Sequence, residues 1–203
     1  MRTRFAIIAA VLGLTAQVAC ADHQYLTLDI DGSLLVTGPF NLVIPMPPPA
    51  TPARTEHTHD TFGMENLRTS RGGYYDEDRI LIIEIETTDA APGTISYEGM
   101  PIVEMAGLEL PSRSGCVEIT QEQINAGDEP LLVFAQENGF NPTPAVYARQ
   151  LFLVNDEGTG EGVTLFAKRV NSCEEADEAF IAEFNSQFER FVTSVRAANR
   201  PAE

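Results

Sequence analysis

Apolar and polar positions divide this chain into three regimes. The first is one greasy run, Phe5 to Leu14, behind the positive tetrapeptide Met1-Arg2-Thr3-Arg4. Ten residues at about 1.5 Å rise reach only about 15 Å as a helix, half of a hydrocarbon core. Its length and flanks are those of a bacterial export signal over residues 1–21, not of a membrane span. Two processing sites compete. Ala19-Cys20-Ala21 is a small-residue site that releases a soluble chain starting at Asp22. Val18-Ala19-Cys20 resembles a lipobox, in which Cys20 becomes an acylated N-terminus, although Gln17 stands where a small or aliphatic residue is usual. Either route predicts an exported protein of the periplasm or cell envelope, free or lipid-anchored.

The second regime is short-period alternation. Leu26, Leu28 and Ile30 alternate with Thr27 and Asp29, and Asp31-Gly32 follows. That pattern predicts a strand, a tight turn and a return strand through Leu34-Leu35-Val36-Thr37. Phe40 to Ile44 offers another short strand. Five prolines between Pro45 and Pro52 force an extended connection. Residues 22–52 therefore read as an N-terminal β-hairpin unit leading into a main body over 53–203. In that body Arg79 to Thr88 is the clearest strand, with Leu81, Ile83 and Ile85 on one face and Ile82, Glu84 and Glu86 on the other. Strands are also expected over Ile102–Met105, Leu131–Ala135, Val146–Val154 and Val163–Lys168. The polar, glycine-rich stretch 155–162 joins the last two as a hairpin. Thr120 to Ala126 reads as a short helix, and Arg68 to Tyr75 as an irregular loop whose arginines could contact an anion.

The third regime is helical. From Cys173 to Ala198, Phe180, Phe184, Phe188, Phe191, Val192 and Val195 fall on one stripe. Ser172 with Glu175 fits a capping box, and Glu174, Asp177 and Glu178 suit the positive end of the helix dipole. Strands first, a long helix last and no βαβ rhythm predict an α+β fold: an antiparallel sheet with the C-terminal amphipathic helix, 173–198, packed on it.

Charge narrows the partners. Thirteen basic and thirty acidic side chains give −17, and loss of Arg2 and Arg4 with the signal deepens this to −19. Such a field repels phosphate backbones and anionic lipid, so neither nucleic acid nor direct membrane docking is expected. Lys168 is the sole lysine beside twelve arginines. Acid enrichment with scarce lysine suits a salty surrounding, where screening relieves self-repulsion.

Cysteine usage agrees with export. Once Cys20 is removed or acylated, Cys116 and Cys173 remain as an even pair in an oxidising compartment. A bond between them closes a loop of about 58 residues, worth about 4 kcal/mol by loop entropy.

Candidate chemistry is sparse. Leu28-Asp29-Ile30-Asp31-Gly32-Ser33-Leu34 resembles the signature of haloacid-dehalogenase-type phosphatases, which implies Asp29 as nucleophile and Asp31 as general acid. That family also implies a strand entering a helix, a later lysine and an acidic magnesium motif; here a strand follows, and the acids after Lys168 open a helix. Glu56-His57-Thr58-His59-Asp60, read as a strand, sets His57 and His59 on one face about 7 Å apart. They could hold Zn²⁺ or Cu²⁺, with Met64, His23 or a carboxylate completing the shell. Asp156, Glu157 and Glu161 could offer oxygen to Ca²⁺, without EF-hand spacing. No nucleophile elbow, zincin helix or phosphate loop is present in the sequence. The expectation is a non-catalytic binding or assembly module, acting on an envelope protein or small ligand and needing no cofactor. A metal-binding protein centred on His57 and His59 is one alternative, and a phosphatase of the haloacid-dehalogenase type using Asp29 is another.

Overall fold

A computed structural model describes residues 24–38, 40–62, 65–89, 97–154 and 160–200. The segment read as an export signal, with Cys20, and His23, Met64, Asp156 and Glu157 among the candidate ligands, lie outside the described residues.

Strands β1 (Leu26–Leu28), β2 (Leu34–Val36) and β3 (Leu42–Ile44) form a small antiparallel sheet in the order β1-β2-β3. The larger sheet contains β4 (Thr51–Pro52), β5 (Glu56–Phe62), β6 (Glu65–Tyr75), β7 (Arg79–Thr88), β8 (Ile102–Met105), β9 (Leu108–Glu118), β10 (Ala145–Val154) and β11 (Gly160–Val170). Its order is β4-β6-β7-β11-β10-β9-β8, with β5 also pairing β6. Its described pairs are antiparallel. Helices α1 (Gln121–Ala126) and α2 (Pro130–Glu137) lie between β9 and β10, and α3 (Glu178–Ala198) ends the described chain. The fold is α+β.

Alternation along β7 explains the layering. Leu81, Ile83 and Ile85 share one buried cluster with Leu26, Leu34 and Ile44 of the small sheet and with Phe184, Phe188, Phe191, Val192 and Val195 of α3. Ile80 and Ile82 join a second cluster on the opposite face, with Ile124 of α1, Phe134 of α2 and Phe140. The aromatic stripe of α3 docks as the 3.6-residue period requires. The Phe184 ring meets Tyr147 edge-on at 4.9 Å, and Phe191 stacks on Phe166 at 5.8 Å. Beyond the helix, Asn199 bonds the backbone of Val43 twice: its Oδ1 accepts from the Val43 N–H at 2.9 Å and its Nδ2 donates to the Val43 carbonyl at 2.8 Å.

Three elements differ from the sequence reading. Leu131 to Ala135 is helical, part of α2. Pro130 occupies the first turn, where its missing N–H costs nothing, and a five-residue apolar run carries no period that separates strand from buried helix. Arg68 to Tyr75 is strand, the bulk of β6, and it needs Gly72 and Gly73. A Cβ on Gly73 would lie 1.9 Å from the Leu81 carbonyl oxygen, and one on Gly72 would press on Leu34 of β2 at 3.2 Å. The C-terminal helix starts at Glu178 rather than Cys173. Asp177 is its cap, accepting from the Phe180 N–H at 2.9 Å, while residues Cys173–Glu175 form a 3₁₀ turn to which Ser172 gives no side-chain cap.

Cys116 on β9 and Cys173 at that turn stand at disulfide distance, 5.5 Å between their α-carbons. The bridge ties the approach to α3 to the sheet. Among the described residues no helix is long and apolar enough to cross a membrane.

Candidate functional site

Asp29 and Asp31 sit at the tip of the β1–β2 hairpin. Asp29 Oδ1 accepts from the Ile30 N–H at 2.7 Å and Asp31 Oδ1 from the Ser33 N–H at 2.8 Å, with Gly32 at φ +85°. Both carboxylates thus serve a tight turn between antiparallel strands, not a strand entering a helix. Lys168 on β11 donates to Glu183 of α3 at 2.7 Å.

His57 and His59 lie on β5, opposite Ser70 and Arg68 of β6. The His57 ring is 2.9 Å from Ser70 Oγ, which also accepts from the Tyr25 N–H at 3.2 Å. Partial burial lowers the His57 pKa. His59 Nε2 is 3.2 Å from Asn66 Oδ1. Each ring therefore has a neutral partner, and among the described residues no group of three or more His, Cys, Asp and Glu side chains could share an ion. The two arginines expected to be open to an anion both have carboxylate partners, Arg68 with Asp89 at 2.8 Å and Arg71 with Glu84. Glu161 accepts from the Tyr97 hydroxyl.

Two of the concave regions among the described residues lie on opposite faces of the large sheet. The wider, about 410 Å³, lies between α1–α2 and strands β9–β10, with Val117, Leu132, Val146 and Leu165 on its wall. The narrower, about 250 Å³, lies on the other face, beneath the Pro45–Pro48 segment. Prolines 45, 47 and 48 offer no N–H to a ladder, so this segment crosses above β6 and β7 instead of pairing with them. Tyr74 anchors its start by donating to the Ile44 carbonyl at 2.7 Å. Met46, Tyr75, Phe166 and Phe191 give the narrower cavity an apolar, aromatic lining, and Gln187 of α3 completes it.

Gln187 is unlike its neighbours. Its Nε2 donates to Glu183 Oε1 at 2.7 Å, the same oxygen that receives Lys168. That bond fixes which end of the amide is oxygen, and the oxygen is buried with no hydrogen-bond partner. Several of the polar donors around the cavity are engaged elsewhere. Arg79 is held by Asp76, whose carboxyl burial pulls upward but whose bonds from Arg79 and two backbone N–H groups leave it below its usual value. Ser194 donates to the Phe191 carbonyl at 2.7 Å, and Arg190 to Ser186 Oγ at 2.8 Å. A buried carbonyl left unpaired costs about 1–3 kcal/mol.

Sequence reasoning missed Gln187, although a signal was there. Position 187 lies three residues after Phe184 and four before Phe191, within the stripe that α3 turns to the sheet, and it alone of those three carries an amide. The chain matches no protein-family model, no curated protein and no solved structure with which it has been compared.

Proposed function

We propose that this chain is an exported, non-catalytic protein of the bacterial envelope that binds a small molecule in the cavity between α3 and the Pro45–Pro48 segment. The leading segment, the acidic balance and the even cysteine pair support export to an oxidising compartment. The single observation that carries the binding role is the apolar, aromatic cavity itself, enclosed between α3 and the Pro45–Pro48 segment. Pockets of this kind, mostly apolar with few placed polar groups, are the usual form of small-ligand sites. A cavity of about 250 Å³ exceeds the roughly 150 Å³ that admits benzene in an engineered core.

Two measurements test this reading. N-terminal sequencing and mass of the processed protein should give a chain starting at Asp22 or an acylated Cys20; an unprocessed cytosolic chain overturns the export part. Titration of the mature protein with p-cresol, followed by heat and by thermal shift, should give saturable one-to-one binding that Ser194→Phe, which fills the cavity, abolishes. Binding unchanged by that substitution would place the ligand elsewhere, and no binding would remove the role.

A further inference from the structure

Resting on that reading, we infer that the ligand is a carboxylate with a compact apolar body, its charge held at the cavity mouth by Arg190 of α3. The pairing of charges at the wall carries the argument. Asp76, which lines the cavity, pairs with Arg79 and accepts from the Asp78 and Arg79 backbone N–H groups at 3.0 and 2.8 Å. Glu183, which accepts from Gln187 of the wall, pairs with Lys168 at 2.7 Å. Arg190 is left over. It lines the cavity, and among the described residues its guanidinium has no carboxylate partner, only the neutral Ser186 Oγ at 2.8 Å. The Lys168 bond holds the Glu183 pKa below its usual value, and the charges of Arg190 and Arg79 add to that effect. Arg190 thus stands beside the two matched pairs, not apart from them.

Chemistry then separates ligand classes. Arg190 can exchange an exposed, neutral bond within its own helix for a charge-assisted pair with a carboxylate, and the second is the stronger. The Tyr75 hydroxyl, without a hydrogen-bond partner among the described residues, is a further donor at the wall. Gln187 takes no part, since its Nε2 is spent on Glu183 and its oxygen is buried out of a ligand's reach. A neutral molecule gains only from the apolar wall of Met46, Phe166 and Phe191. A cation meets Arg190 and is repelled. A carboxylate on an apolar body uses both parts of the site. The chain as a whole carries a net charge of −17, so its field disfavours anions in general. An unmatched guanidinium beside an apolar cavity stands against that background.

The test compares phenylacetate with phenylacetamide, which share a shape and differ in charge, by calorimetric titration of the mature protein at neutral pH and low salt. Phenylacetate should bind the native protein at least about tenfold more tightly than phenylacetamide, and that preference should vanish in Arg190→Gln. Arg190 is exposed, so the change leaves the packing of α3 in place. Arg196→Gln removes an equal charge farther along the same helix, where Arg196 bonds the Glu104 carbonyl, and should keep the preference. No preference in the native protein, a preference that survives Arg190→Gln, or one lost equally in Arg196→Gln overturns the inference while leaving the binding role standing. Failure of both probes to bind the native protein overturns the binding role itself.

Discussion

Glu86 and Glu161 stand directly opposite one another on β7 and β11, two carboxylates on one face of the sheet. Each has a hydroxyl donor of its own: Thr69 reaches Glu86 at 3.3 Å, and Tyr97 reaches Glu161. Like charges so placed destabilise a sheet, although Glu161 is the smallest of the influences that raise the Glu86 carboxyl. Burial raises its pKa, the neighbouring Glu84 charge adds to the rise, and Thr69 and Arg71 only partly offset it.

The sign of the pH effect follows. A carboxyl raised in the folded state holds its proton where the unfolded chain has released it, so its effect on stability worsens as pH rises from the usual value of 4.5 through the raised one. Glu86→Gln should therefore gain stability over the native protein above that window, with the gain shrinking steadily toward acid. Urea midpoints at about pH 4 and about pH 7 measure it. A difference between the two proteins that is constant with pH contradicts the assignment.

Gly73 and Gly115 make a matched pair. A methyl group on Gly73 would strike the Leu81 carbonyl, while one on Gly115 meets nothing within 4 Å. Gly73→Ala should cost about 3 kcal/mol, since backbone rather than a flexible side chain must move. Gly115→Ala should change stability by less than about 0.5 kcal/mol. Equilibrium denaturation of both variants gives the comparison.

Removing the bridge between Cys116 and Cys173, by reduction or by the double Cys→Ala substitution, should lower stability by about 4 kcal/mol. The residues are 57 apart in sequence, so most of this loss is expected from the freed unfolded chain. A thiol count on the denatured, unreduced protein checks that the bond is present.

Asp177→Ala should cost about 1 kcal/mol, because the Phe180 N–H loses its acceptor at the start of α3. Ser172→Ala should be close to neutral, since Ser172 makes no side-chain cap bond. Thermal denaturation of the two single variants distinguishes the cap observed from the one that a capping-box pattern suggests.

That contrast shows where local pattern stops being informative. The stripe of α3, the two faces of β7 and the β1–β2 hairpin were legible because period, turn chemistry and burial agree there. The helix start was not, because Ser172 and Asp177 both suit a cap and only docking decides which turn becomes α-helical. Gly72 and Gly73 argued against a strand in β6, yet they are the positions where a second layer presses close. Much of β9 was hidden for a related reason: Pro111, Ser112, Ser114 and Gly115 lack β-propensity, and the strand exists through its pairing with β8 and β10. Of the candidate site, only the anomaly at Gln187 could have been read, since the cavity is made by segments more than a hundred residues apart, Met46 and Phe191 among them.

The two bonds between Asn199 and Val43 couple an early strand to the residue just past the last helix. A chain threaded out of its ribosome, or through a translocation pore, exposes Val43 long before Asn199 arrives. Its small sheet meets β6 early, with Leu34 against Gly72, but its contact with α3 waits until that helix emerges. The last contact of the small sheet is thus deferred until the end of the chain is available.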